Sequence, residues 1–177
     1  NGPHGSTPGS AGGNGGNGTS LTWNATGALV PTDVRGGDGG DGGNGADNPY
    51  PLTGGAAGSG GSGGNATANK TGTAGGYDVS MTAFGGLGGN SGRPGNSSYT
   101  NSAGATGNRG RGGDALAVYN PAIIREPTTM HVAAYGGDAG FGDGYNKDAV
   151  GGSARVSTII DTWSIGRTVY GYATARG

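Results

Sequence analysis

The chain has 177 residues, among them 47 Gly, 8 Pro and no Cys, with 31% apolar residues and a net charge of −1. The missing cysteines exclude disulfides and thiolate metal sites. A near-neutral balance whose tightest basic pair is Arg109 and Arg111 excludes a nucleic-acid footprint, and no window is apolar enough to span a membrane. So much Gly and Pro usually marks disorder, yet the charge that accompanies disorder is low at 12%, and order must come from backbone hydrogen bonding or assembly rather than from a large core.

The first residues, "NGPHGSTPGSAGGNGGNGTS", form a glycine tract with none of the features of a signal peptide, and the absent initial Met suggests a processed or excised chain. A β-type run follows, Ser20–Val34. The next tract, Gly36–Gly45 ("GGDGGDGGNG"), places glycine in threes, as does Gly12–Gly18. A period of three matches the left-handed extended helix, which has three residues per turn and no internal hydrogen bonds. Several copies would have to lie side by side, with Asp38, Asp41 and Asn44 on one exposed ridge. The alternative is a set of flexible loops whose turns need positive φ.

Gly36–Asp41 also reads G-G-x-G-x-D, the opening of a calcium-binding nonapeptide, and Asp38, Asp41 and Asp47 are the candidate ligands for a surface Ca²⁺. "GGSGG" at 60–64 satisfies the nucleophile-elbow pattern around Ser62, but no strand and helix flank it. "NATANKT", ending at Lys70 and Thr71, has Asn69 where a phosphate loop needs glycine.

Further β-type runs are Tyr77–Phe84, Ala115–Tyr119, Met130–Tyr135, Ala154–Ile160 and Thr168–Ala175. Apolar residues fall at alternate positions, as in Val79, Met81 and Ala83, which suits strands with one buried face. His131 is expected on the less buried face of its strand, and the lone Glu126 pairs with no Asp. The expectation is a single all-β domain over 1–177, a sandwich or solenoid-like stack of seven or eight short strands joined by long Gly-rich loops, some of them polyglycine-II-like.

Chemistry is sparse. No catalytic constellation and no cofactor other than the possible Ca²⁺ is expected, so the chain reads as a non-enzyme. Five sequons, at Asn17, Asn24, Asn65, Asn69 and Asn96, are candidate glycosylation sites. Strands that end on paired glycines, and a tail compatible with the glycine-rich head, suggest a structural subunit or repeat of an extracellular filament that associates with copies of itself. The alternative is a receptor- or glycan-binding adhesin using Trp23, Tyr50, Tyr99, Tyr145 and Trp163; ice binding by a flat polar ridge is disfavoured, because the period-three ridges carry Asp and Asn rather than regular Thr or Ala.

Period-three glycine tracts framed by short β runs resemble the receptor-binding adhesins at the tips of certain phage tail fibres. The texture of "GGDALAVYN" and "MHVAAYGGDAGFGDG" is similar to that of glycine-rich repeats in bacterial surface proteins. The resemblance implies extended glycine helices packed on one another and an extracellular or virion-surface location. It assigns no binding residue.

Overall fold

The computed structural model describes residues 1–26, 32–50, 52–74, 79–98, 102–124, 129–142, 150–158 and 170–176. Among them there are eight strands and no helix: β1 (Leu21–Thr26), β2 (Thr32–Arg35), β3 (Ala66–Ala74), β4 (Val79–Phe84), β5 (Ala115–Ile124), β6 (Thr129–Tyr135), β7 (Ala154–Thr158) and β8 (Tyr170–Arg176). The fold is all-β. The run expected at 20–34 is two strands, β1 and β2, and β3 occupies a segment that sequence patterning did not mark as a strand.

Odd and even strands separate. One parallel sheet has the order β1-β3-β5-β7 and the other β2-β4-β6-β8, so each successive pair of strands adds one strand to each sheet. The core lies between the sheets, where alternate positions point inward: Ala66 and Ala68 of β3, Ala115, Ala117 and Tyr119 of β5, Val34 of β2, Met81 and Ala83 of β4, and Val132 and Ala134 of β6. The dominance of Ala explains how a chain with few apolar residues closes a core at all: the sheets approach over small side chains, and little volume needs filling.

Beyond the strands, the glycine tracts continue the same two layers as extended rods. Gly39, Gly42 and Gly45 donate within one layer to the carbonyls of Leu87, Asn90 and Arg93, while Gly37, Gly40 and Gly43 donate across to the other layer, to Thr19, Gly16 and Gly13. The direction of the bond repeats every three residues, which is the signature of a three-residue turn. Of each triplet, one residue bonds sideways, one bonds across, and the third points outward.

Where a rod has close neighbours the two inward positions need glycine because the backbones nearly touch; Ala46, Ala57 and Ser91 stand at inward positions as exceptions. A Cβ on Gly61 would collide with the Gly16 carbonyl, and one on Gly43 with the carbonyl of Pro3. Among the described glycines only Gly9 has a left-handed φ, 71°. It sits in the turn Thr7–Ser10, closed by Ser10 N–H donating to the Thr7 carbonyl at 2.9 Å, where Pro8 precedes a position requiring positive φ. Elsewhere the described tracts are hydrogen-bonded rods, the packed extended-helix form of the two forms expected for them, rather than flexible loops.

Candidate functional site

With two residues of each triplet consumed inside the bundle, whatever the molecule presents to its surroundings is carried by the third residue of each rod and by the outward positions of each strand. These make two opposed faces. On the first face, rods 10–20, 54–65 and 103–114 line up through in-layer bonds such as Gly12 N–H to Ala56 O, Gly15 to Ser59, Ala57 to Ala105 and Gly60 to Asn108. The resulting rows are Ala11–Ala56–Ala105 and Asn14–Ser59–Asn108. The strands continue them through registered pairs: Thr22 with Thr67, Asn24 with Asn69, and Thr26 with Thr71. Over the first two rods and their strands, every outward residue is Ala, Ser, Thr or Asn.

Side chains lock these rows from rod to rod. Asn14 Oδ1 accepts from Ser59 N–H and Asn17 Oδ1 from Ser62 N–H, each at 2.9 Å; Ser59 Oγ accepts from Asn108 N–H at 3.1 Å. Charge enters this face only toward its far edge. There Arg111 pairs with Asp114 at 2.8 Å, and Asp114 also accepts from the backbone and hydroxyl of Ser153. Those hydrogen bonds, the Ser153 backbone bond foremost, hold the Asp114 carboxyl below the usual carboxylate range.

The second face is charged. Rod 36–47 carries Asp38, Asp41, Asn44 and Asp47 on one ridge, as expected from the triplet spacing, and each accepts a 2.8 Å bond from the backbone N–H of Leu87, Asn90, Arg93 or Asn96 respectively. The structure does not bring the calcium candidates together. Three residues of an extended rod span about 9 Å, and a Ca²⁺ ion holds its ligands at about 2.4 Å, so Asp38, Asp41 and Asp47 cannot enclose one ion. Among the described residues no group of three His, Cys, Asp or Glu side chains is placed to hold a metal.

Where the second face passes from strand to rod, Arg35, Phe84 and Tyr135 stand side by side in register. The Arg35 guanidinium lies 4.1 Å over the Phe84 ring, and Phe84 stacks on Tyr135 with centroids 5.2 Å apart. A groove of ≈ 420 Å³ separates this row from Asp38, Leu87 and Asp138, floored by glycine backbone. Because Phe84 is flanked on both sides, its ring faces are not open to stacking by a ligand, and the row serves to tie β2, β4 and β6 together.

Of the sequons, Asn17, Asn24, Asn65 and Asn69 occupy the uncharged face, and Asn96 the other. Ser62 is an outward residue of a rod with neither histidine near it in the bonding pattern, and His131 is exposed on β6 as expected. Trp23 packs against the core and Tyr50 is exposed in the turn after rod 36–47. Tyr99, Tyr145, Trp163 and Glu126 lie outside the described residues. Sequence reasoning missed the buried Lys70 because it missed β3. The signal available was the alternation Ala66, Ala68, Lys70 against Thr67, Asn69, Thr71.

No protein-family model matches the chain, and no curated protein does. Among solved structures, the nine polyproline type II helical bundle antifreeze protein of the springtail Granisotoma rainieri aligns with 90% of this chain and 94% of its own, at 23% identity and a TM-score of 0.19. A score that low establishes neither a shared fold nor a shared activity.

Proposed function

We propose that the chain is an extracellular ice-binding protein that adsorbs to ice through its uncharged face. The observation that carries this reading is the segregation of side chains: short, neutral Ala, Ser, Thr and Asn in registered rows on one face, and the Asp ridge with Arg35 and Arg93 on the other. Such a face has no deep chemistry to offer a soluble ligand. It offers repetition, which only a target that is itself periodic can match, and many weak contacts then act together.

Three physical features favour ordered water as that target. Short side chains on a backbone bonded within and across layers lose little freedom on adsorption. Methyl groups of Ala and Thr leave neighbouring water to its own network, whereas hydroxyls and amides anchor it at regular points. Charged groups, which would orient water around themselves, are held on the opposite face and at the far edge of this one.

Thermal hysteresis and ice-shaping measurements test the proposal. Wild-type protein is expected to be active, Ser62→Tyr to lose most of the activity with its unfolding temperature unchanged, and Leu87→Tyr on the charged face to keep it. An inactive wild type, or equal loss in both variants, sinks the reading. A second reading, a structural subunit that adds to copies of itself, draws on the outer edge of β1, which among the described residues pairs on one side only, with β3. Growth of particle size with concentration in light scattering would favour it.

A further inference from the structure

The side-chain bonds that lock rod to rod each have a companion in the backbone, and the pair recurs on both faces. Asn14 Oδ1 accepts from Ser59 N–H at 2.9 Å, while the next residue, Gly15, donates its N–H to the Ser59 carbonyl at 2.8 Å. Asn17 and Gly18 hold Ser62 in the same way, and Asn44 and Gly45 hold Arg93. On the charged ridge Asp38 with Gly39 grips Leu87, and Asp41 with Gly42 grips Asn90. Each pair is a bracket: a side-chain acceptor and the following glycine amide close on the N–H and C=O of one residue in the adjacent rod.

All five are Asn-Gly or Asp-Gly steps, the dipeptides most prone to spontaneous rearrangement, because glycine leaves the attacking nitrogen unshielded. In that reaction a base removes the proton of the glycine nitrogen, the nitrogen bonds to Cγ of the preceding side chain, and ammonia leaves from Asn or water from Asp. Water then opens the five-membered imide to aspartate or isoaspartate. Two conditions must be met: the N–H must be free to ionise, and the backbone must swing away from the extended ψ of a rod, about +145°, before the nitrogen can face Cγ. A bracket opposes both, since it engages the N–H and holds the side-chain carbonyl against the neighbouring rod.

We propose that the brackets protect Asn14, Asn17 and Asn44 from deamidation and Asp38 and Asp41 from isomerisation, so that a sequence built on labile dipeptides is chemically durable once folded. What they protect is the repeat itself. Aspartate in place of Asn14 or Asn17 would put charge among neutral rows, and isoaspartate would add an atom to the backbone of a rod whose bonds recur every three residues. The residue inside a bracket is gripped only by its main chain, so Ser, Leu, Asn and Arg all serve. A bracket can therefore be opened without disturbing the rod: proline at the gripped position keeps the carbonyl and suits the extended helix, and removes only the N–H.

The test is peptide mapping by mass spectrometry of the intact chain aged in mildly alkaline buffer, folded or unfolded in urea. In the folded chain Asn14, Asn17 and Asn44 are expected to deamidate at least about tenfold more slowly than in urea, because a local opening must precede attack. Ser62→Pro isolates one bracket: with circular dichroism showing the wild-type fold, loss at Asn17 should accelerate at least about threefold while Asn14, whose bracket to Ser59 is intact, keeps its rate. Leu87→Pro makes the same comparison on the charged face, with isomerisation at Asp38 read against Asp41. Equal rates in the folded and unfolded chains, no acceleration at Asn17 or Asp38 in its variant, or equal acceleration at the bracketed neighbour would each overturn the proposal.

Discussion

Lys70 and Tyr119 are neighbours in register on β3 and β5, and both face the core, where they are 2% and 1% exposed. Desolvation lowers the Lys70 pKa and pushes that of Tyr119 up to about 12 from 10.0, while the Tyr119 hydroxyl has no hydrogen-bond partner among the described residues. The two shifts act oppositely on stability. Folded Lys70 holds its proton less tightly than the unfolded chain does, so stability climbs as pH rises through its lowered pKa toward the ordinary lysine value. Folded Tyr119 holds its proton more tightly, so its contribution is intact below pH 10 and is lost between pH 10 and about 12. Tyr119→Phe removes a buried, unpartnered hydroxyl without changing the ring, and is expected to stabilise the fold by about 1 kcal/mol. Urea unfolding at neutral pH should show that gain, and the same experiment above pH 10 should show a smaller alkaline loss than in wild type. Destabilisation by Tyr119→Phe would mean that the hydroxyl is engaged.

In the rods, the need for glycine is set by the neighbour rather than by the rod itself. Gly61 is buried, bonds to the Gly40 carbonyl, and would drive a Cβ into the Gly16 carbonyl; Gly16, in an equivalent triplet position, would meet open space. Gly61→Ala should therefore cost about 2 kcal/mol or more through overpacking. Gly16→Ala should be neutral or stabilising by about 0.5 kcal/mol, since it only restricts the unfolded chain. Thermal unfolding of the two variants separates these outcomes. The same rule explains how much of the element level was legible. "GGDGGDGGNG" announces its period and its Asp ridge because rod 36–47 has neighbours along its length. Farther on, Ser91 and Arg109 interrupt the pattern where rod 136–142 reaches its last described residues, with Ser91 N–H bonded to Phe141 O and an Arg109 guanidinium N–H to Gly142 O. Read along the chain they look like decay of a repeat; in space they border the last described part of an adjacent rod. β3 was illegible for a different reason. Its residues, ATANKTGTA, have little strand propensity of their own, and the strand is held by pairing with β1 and β5 on either side.

At the scale of the molecule, the two faces set conditions on each other and on any modification. Four of the five sequons project from the face proposed to meet ice, and Asn24 and Asn69 are paired in register, about 4.8 Å apart in the direction across the strands. A glycan on either would hold the whole face away from a crystal, because adsorption depends on rows acting together and a bulky substituent breaks contact over its neighbours as well. A glycan on Asn96, on the charged face, would leave the rows clear. Material from a glycosylating host, separated by mass into forms carrying a glycan on the uncharged face and forms carrying one only at Asn96, is therefore expected to differ in thermal hysteresis. The first should be nearly inactive and recover on enzymatic deglycosylation; the second should match the unmodified chain. Activity retained with glycans on Asn24 or Asn69 would remove the uncharged face from the mechanism.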